Sequence, residues 1–240
     1  MNFSKVDKKL FDNLSLNEDK YCFEFDKNFH KIRYEKTFKL LKKFLKNEGK
    51  FLDVGCGYGF ILEKIAKEYE IELFGVDVKQ GVKNYLNKNV NFLLADCYSL
   101  PFKNEQFDYV SLFEVVEHLY NPLRALREAN RVLKPGGLLF ITTPNLTRFG
   151  VLFNLILNKS PFMDVKYFEY DGASHLREFA VEELKELLSM SGFSVEYFDY
   201  FDYNFVFDSF KKALAKDIIH IFSFFFKKRR ECIFIVGKKI

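Results

Sequence analysis

The stretch Phe51-Leu52-Asp53-Val54-Gly55-Cys56-Gly57-Tyr58-Gly59 decides the fold, because it reads as an apolar strand that runs into a glycine turn. A helical pattern follows from Phe60 to Glu70. Glycines at alternate positions let the backbone turn sharply and admit a ligand where a Cβ would collide, and the first N–H groups of the helix are available to bind it. The third glycine comes one residue earlier than in the G-x-G-x-x-G dinucleotide fingerprint, and no G-K-[ST] phosphate loop follows. The stretch therefore predicts a nucleotide-like ligand without identifying it.

The composition is that of one large folded domain. The chain has 240 residues, 48% of them hydrophobic, and its 31 phenylalanines supply a substantial core. A formal charge of +4 is too small to indicate nucleic-acid binding, so no DNA partner is expected and RNA is disfavoured. The four cysteines are scattered, no secretory leader opens the chain, and the longest apolar block, 218–226, is too short to span a membrane. These features predict a soluble cytoplasmic protein.

Strand and helix patterns alternate along the chain. Strands are expected at 51–54, 72–76, 91–95, 107–113, 138–143, 193–199 and 231–236. Helices are expected at 31–46, 58–70, 79–87, 121–133 and 181–191. The alternation predicts an α/β fold in which helices cover both faces of a mostly parallel sheet. A single domain, 1–240, is expected to comprise an N-terminal helical cap (1–46), a cofactor-binding core (47–144), a substrate-lid insertion (145–174) and a C-terminal part with a helical insertion (175–240).

Acidic residues follow three successive predicted strands. Asp53 precedes the glycine turn, Asp77 ends the second strand 22 residues after Gly55, and Asp96 ends the third. An acid at the tip of the second strand is typical of ribose recognition, and open α/β sheets bind ligands at this carboxyl edge. A single aspartate here is most simply a loop or cap residue. Three of them beside one glycine turn favour a ligand site.

Five motifs together closely resemble those of class I S-adenosylmethionine-dependent methyltransferases. They are Asp53-Val-Gly-Cys-Gly-Tyr-Gly59, Val76-Asp77, Ala95-Asp96, Phe107-Asp108-Tyr-Val and Leu133-Lys-Pro-Gly-Gly-Leu-Leu. The resemblance implies a Rossmann-like three-layer sandwich with a seven-stranded sheet whose last strand is antiparallel. It implies that the glycines pass under the amino-acid portion of S-adenosylmethionine, that Asp77 binds the ribose hydroxyls and that Asp96 binds the adenine amino group. The expected cofactor-binding residues are Asp53, Gly55, Cys56, Gly57, Gly59, Asp77, Val78, Asp96, Cys97 and Phe113.

The acceptor side of the site is expected near Glu114-Val-Val-Glu117-His118 and His175. On a helical turn Glu114, Glu117 and His118 share one face. Three interpretations stay open: a structural brace, acid–base catalysis by an imidazole, and a divalent cation held by the two carboxylates and two imidazoles. The last resembles the ligands of small-RNA 2′-O-methyltransferases and the E-x-x-E-H of quinone-biosynthetic O-methyltransferases. The candidate catalytic residues are His118, His175 and Glu117, and no residue is assigned as a metal ligand.

Two aromatic segments bear on the substrate. The lid, 145–174, carries several rings that suit a sugar or aromatic acceptor, and rings near Tyr21, Phe25 and Phe29 would close the pocket. The segment 209–230 ends in an apolar and basic run that fits either a helix packed on the core or peripheral contact with an anionic membrane. The sequence predicts O-methylation of a hydroxylated small molecule, sugar or glycolipid precursor. The alternatives are a quinone or lipid O-methyltransferase at the membrane surface, a metal-assisted RNA 2′-O-methyltransferase, and a cofactor-binding module without catalysis.

Overall fold

A computed structural model describes residues 30–158, 160, 175–202 and 226–240. Seven strands form one sheet in the order β3-β2-β1-β4-β5-β7-β6. The strands are β1 (Lys50–Val54), β2 (Glu72–Asp77), β3 (Val90–Leu94), β4 (Phe107–Phe113), β5 (Leu133–Pro144), β6 (Phe193–Phe201) and β7 (Cys232–Lys239). The α-helices are α1 (Lys31–Leu41), α2 (Phe60–Glu68), α3 (Pro122–Val132), α4 (Phe149–Ile156) and α5 (Val181–Met190).

The sheet is parallel except where β7 joins it. The strands from β3 to β5 pair in parallel, whereas β7 pairs antiparallel with both β5 and β6. This confirms the predicted seven-stranded sheet with an antiparallel last strand. Parallel strands need a crossover between them, and the intervening helices supply it while covering the two faces of the sheet.

Each face of the sheet has its own hydrophobic core. On one face, α3 and α5 bury residues such as Leu126 and Leu188 against β4 and β5. On the other face, α1 and α2 bury Leu41, Leu62 and a stack of phenylalanines from β1, β5 and β7. Because both faces are covered, most residues of the central strands β1, β4, β5 and β7 are buried, whereas the edge strands β3 and β6 keep exposed positions. The result is the three-layer sandwich that the sequence predicts.

The expected bounds of most helices and strands lie within a few residues of the observed ones. Two elements differ from the expectation. The helix expected at 79–87 is a 3₁₀ helix from Gln80 to Tyr85. Strand β5, expected at 138–143, begins already at Leu133, directly after α3, so that Lys-Pro-Gly-Gly lies within the strand, beside a register shift in its pairing with β4. Helix α3 is capped at its start, because the Oδ1 of Asn121 accepts a hydrogen bond from the Arg124 N–H at 3.1 Å.

Several expectations fall on residues outside the described part of the chain. These are the rings near Tyr21, Phe25 and Phe29, the lid residues 159 and 161–174, and the tail from 203 to 225. The division of the domain into cap, core, lid and C-terminal part stays a prediction. Within the described ranges, no helix is long and apolar enough to cross a membrane.

Candidate active site

The candidate site lies at the carboxyl edge of the sheet, where the first four strands end side by side. In the parallel register Val54 lies opposite Val76 and Asp77 lies opposite Leu94. The loops that leave these strands therefore start from adjacent points, as the sequence predicts from the three acidic strand ends.

The glycines of the turn have a left-handed backbone conformation, which other residues adopt only at a cost in free energy. Gly55, Gly57 and Gly59 all have positive φ, at 72°, 47° and 72°. A Cβ on Gly55 would lie 2.6 Å from a methyl group of Val115, so the turn packs closely there. A Cβ on Gly57 would meet no atom within 4 Å. The turn is thus packed on one side and open at its centre, which fits a cradle for a ligand.

The open position at Gly57 gives a test of this cradle. Gly57→Ala and Gly136→Ala both place a methyl group in open space at positive φ, and Gly136 lies in β5 at the opposite edge. Both variants are expected to lose about 1 kcal/mol of unfolding free energy because the backbone is left-handed. Only Gly57→Ala is expected to weaken S-adenosylmethionine binding, by about tenfold, in calorimetric titration. Equal affinities in the two variants would show that the ligand does not cross Gly57.

Asp53 lies beneath the turn and is almost fully buried. Its Oδ1 accepts a hydrogen bond from the Ser111 hydroxyl at 2.6 Å, and the two residues are partners in the register of β1 and β4. Burial raises the pKa of Asp53 to about 7, the Ser111 bond opposes the shift, and the charge of Asp77 adds to it. A cationic ligand above the turn would favour the ionised carboxylate.

Asp77 links the end of β2 to the glycine turn. Its Oδ2 accepts the Gly57 N–H at 2.9 Å and its Oδ1 accepts the Lys79 N–H at 2.9 Å. Each carboxylate oxygen keeps a lone pair for a further donor, as binding a ribose diol requires. Asp96 is exposed at the end of β3, and its Oδ1 accepts the Tyr98 N–H at 2.8 Å.

The other expected cofactor-binding residues have different environments. Val78 is 70% exposed beside Asp77, so it offers an apolar surface to an adenine ring. Cys56 is buried, and burial raises the pKa of its thiol far above the usual range, so the thiol stays neutral. Burial also raises the pKa of Cys97 to about 12. Phe113 ends β4 and packs against the core on the α1 and α2 face.

These residues fit S-adenosylmethionine, the ligand that the resemblance implies. Its sulfonium and ammonium groups are cationic, and the carboxylates of Asp53, Asp77 and Asp96 are gathered at three adjacent strand ends. The space above Gly57 is open, and Val78 and Leu94 leave apolar surface uncovered beside it. Charge, space and apolar surface therefore agree with this ligand.

A second cluster lies beyond the end of β4. A 3₁₀ helix, Val116–His118, presents Glu117 and His118, and the ring centroids of His118 and His175 are 5.0 Å apart. Glu117, His118 and His175 each offer one donor atom, and these three atoms lie within 4.8 Å of one another. The backbone O of Glu117 accepts the Leu176 N–H at 2.9 Å, which brings the 175–178 loop to this point.

Glu117 is fully buried in this cluster. Its Oε2 accepts a hydrogen bond from the Thr143 hydroxyl at 3.0 Å. Its Oε1 is buried without a hydrogen-bond partner in the described part of the structure. Burial, and secondly the charge of Glu114, raise the pKa of Glu117 well above its usual range. A buried carboxyl oxygen without a hydrogen-bond partner is a position that a proton, a ligand or a cation can satisfy.

Glu114 does not join the cluster, so the expected shared helical face is wrong. It precedes the 3₁₀ helix with φ of 56°, a left-handed conformation that breaks the regular helical spacing. Its carboxylate binds the Arg33 guanidinium from α1, and the Cys232 thiol lies 3.5 Å from its Oε1. The four-residue set of the sequence prediction is therefore divided into a cluster of three and a separate ion pair.

His175 is held by a buried acid. Its Nδ1 lies 3.2 Å from Oε1 of Glu178, whose side chain is only 3% exposed. The Arg148 guanidinium makes a bidentate contact with Glu178. Burial alone would raise the pKa of Glu178, but the hydrogen bonds from His175 and Arg148 outweigh it and the pKa is lowered. Glu178 therefore stays a carboxylate that orients the imidazole.

Sequence reasoning missed the residues that support the predicted ones. They are Arg33, Ser111, Thr143, Arg148 and Glu178. Ser111 had a readable signal, since it lies on the strand that neighbours Asp53. Glu178 also had one, since it follows His175 by three residues. Arg33, Thr143 and Arg148 reach the site from separate elements, and no local pattern assigns them a role.

Comparison with known proteins agrees with the geometry. A family model described as a methyltransferase domain matches residues 29–197. An uncharacterized protein of Methanocaldococcus jannaschii is 32% identical over 73% of this chain and 80% of its own length. A ubiquinone biosynthesis O-methyltransferase of Coxiella burnetii is 29% identical over 59% of this chain, and the match spans 65% of that relative.

A solved structure extends the likeness of fold beyond the family match. It is the putative methyltransferase in complex with the Haloferax volcanii Trm112 methyltransferase activator. It superposes with a TM-score of 0.68 and 16% identity, covering 92% of this chain and 94% of its own. With the glycine turn, the acidic strand ends and the family match in agreement, the chain belongs to the methyltransferase-domain family and is a class I S-adenosylmethionine-dependent methyltransferase.

Proposed function

We propose that this methyltransferase methylates a hydroxyl group of a small molecule, and that Glu117, His118 and His175 line the acceptor position. The observation that carries the proposal is their clustering beyond β4, within reach of one small ligand. Two imidazoles beside a buried carboxyl suit the removal of a proton from a hydroxyl. The acceptor class includes sugars, glycolipid precursors and, as the alternative, quinones or lipids.

When bound, S-adenosylmethionine supplies an activated methyl group on its sulfonium. The chain has to orient the acceptor oxygen in line with that methyl and to take its proton. The Glu178 carboxylate holds a proton on Nδ1 of His175, which leaves Nε2 as the basic nitrogen. His118, whose ring lies edge-on to that of His175, positions the hydroxyl from the other side.

A transfer assay tests the type of bond formed. The protein is incubated with S-adenosylmethionine labelled in its methyl group and with fractions of small metabolites. We expect label in a product that survives mild alkali and acid, as an ether does. Label that alkali releases, as from a methyl ester, or label on nitrogen would contradict O-methylation of a hydroxyl. The Gly136→Ala variant serves as an active control.

A metal-assisted form of the reaction is the second candidate. The cluster offers one carboxylate and two imidazoles, a set that suits Mn²⁺, Fe²⁺ or Zn²⁺ better than Mg²⁺. A cation would replace the proton on Glu117 and satisfy its buried Oε1. There it would lower the pKa of an acceptor hydroxyl.

Mn²⁺ titration distinguishes the two forms. If a cation belongs here, calorimetry detects Mn²⁺ binding that Glu117→Gln abolishes, and a chelator removes turnover until Mn²⁺ is restored. Glu182→Gln is the matched control, because Glu182 is exposed on α5, pairs with Lys185 and lies outside the cluster. Turnover that is insensitive to the chelator, with no Mn²⁺ bound, leaves acid–base catalysis as the mechanism.

A further inference from the structure

Helix α4 exposes apolar side chains next to the acceptor side of the site. No charged residue occurs from Phe149 to Asn158, and in α4 itself only Val151 is buried. Four large apolar side chains are exposed near the end of α4. With their exposed fractions, they are Phe153 (58%), Leu155 (54%) and Ile156 (80%) in the helix and Leu157 (48%) directly after it. A helix that is apolar on all sides is normally buried, so this surface favours a partner that is not water.

A basic turn borders this surface. Phe226 is 54% exposed and its ring contacts that of Phe149 edge-on, with 6.0 Å between the centroids. Phe226 is followed by Lys227-Lys228-Arg229-Arg230. Hydrogen bonds hold the turn beside the start of α4: Asn145 Nδ2 donates to the Lys228 O at 3.0 Å, and Arg229 donates to the Thr147 O at 3.1 Å.

The basic turn keeps positive charge available. Lys227 pairs with Asp199 at 2.7 Å, whereas the exposed Lys228 forms no ion pair with any described residue. An apolar helical surface with cations on its border is the pattern of segments that lie in the interface of an anionic bilayer. A protein partner or a second copy would need matching acidic groups, and nothing on the described surface favours these over lipid headgroups.

We propose that the α4 patch, defined as Phe153, Leu155, Ile156, Leu157 and Phe226, inserts into the surface of an anionic lipid bilayer, with Lys228 beside the headgroups. Arg148 directly precedes α4 and binds Glu178, which binds His175. The bilayer would therefore lie on the acceptor side of the site. This deepens the proposed function and rests on it in one respect, since it implies that the acceptor is delivered from the lipid phase.

Vesicle co-sedimentation of the full chain tests the patch. We expect binding to phosphatidylcholine vesicles that contain phosphatidylglycerol and several-fold weaker binding to phosphatidylcholine alone. Ile156→Asp is expected to weaken binding about tenfold, because it replaces an apolar side chain that would insert into the bilayer with a charged one. Ile240→Asp is the matched control, since Ile240 is 84% exposed at the far end of the chain, and it is expected to bind like the wild type.

A second pair of variants tests the charge. Lys228→Ala is expected to weaken binding to the anionic vesicles about fivefold, the effect of one cation near such a surface. The hydrogen bond from Asn145 goes to the backbone of Lys228 and survives the substitution. Lys103→Ala, an exposed lysine in the loop before β4, is the control and is expected to change nothing.

Three outcomes would overturn the proposal. One is equal binding by Ile156→Asp and Ile240→Asp. Another is a wild-type dimer that Ile156→Asp dissociates in gel filtration, which would assign the patch to a second copy. The third is a lower melting temperature of Ile156→Asp without vesicles, which would mean that the chain itself covers the patch. None of these measurements uses methyl transfer, so failure here is separate from failure of the proposed reaction.

Discussion

Asp77→Ala is expected to weaken the binding of S-adenosylmethionine by about 100-fold or more. The substitution removes the carboxylate, so two ribose hydroxyls lose their hydrogen-bond acceptor. A hydrogen bond to a charged group contributes about 1.5–3 kcal/mol. The Gly57 N–H also loses its acceptor, so the glycine turn is less well held. Calorimetric titration of wild type and variant measures the difference, and Asp77→Asn, which keeps one carbonyl oxygen, is expected to fall between them.

Asp108 provides the control for this loss. It lies at the start of β4, at the opposite edge of the sheet, where it binds Lys134 Nζ at 2.7 Å and the Lys50 N–H at 2.9 Å. Asp108→Ala is expected to lower stability and to leave the affinity for S-adenosylmethionine unchanged within about twofold. Wild-type affinity in Asp77→Ala would falsify the placement of the ribose at β2.

His175→Gln is expected to lower kcat by about 10²- to 10³-fold, because a positioned general base contributes that much. The affinity for S-adenosylmethionine is expected to stay within about twofold, since His175 lies in the acceptor cluster and not at the glycine turn. The pH profile of kcat is the more specific measurement. Base catalysis by an imidazole produces a rising limb with pH, and the variant is expected to lose that limb.

Two neighbouring variants separate catalysis from loop structure. Glu178→Gln removes the carboxylate that orients His175, and we expect a smaller fall in kcat with the fold intact. Arg177→Gln changes an exposed residue of the same loop whose side chain pairs with Glu183, and kcat is expected to be unchanged. Equal losses in Arg177→Gln and His175→Gln would mean that the loop is structural and that His175 is not the base.

Prediction from sequence succeeded where a short pattern had one physical solution. The alternation of strands and helices fixes a parallel sheet, and the acids at three strand ends must then meet at one edge. The pairing of Asp53 with Ser111 follows from the same register, although it requires knowing which strands are neighbours. Glu114 was misplaced because the i, i+3, i+4 rule assumes a regular helix, and a left-handed residue breaks that rule.

The resemblance of the motifs to a known family implies S-adenosylmethionine. The local sequence by itself was sufficient for the fold class and the glycine turn. These depend on backbone conformation and on apolar periodicity, which act over a few residues. The acceptor cluster depends on tertiary contacts, because His175 meets His118 only when the 175–178 loop pairs with the backbone of Glu117. Arg33 removes Glu114 from that cluster across 81 positions of the chain. Long-range burial and pairing thus set the protonation and grouping of these side chains, which no local pattern encodes.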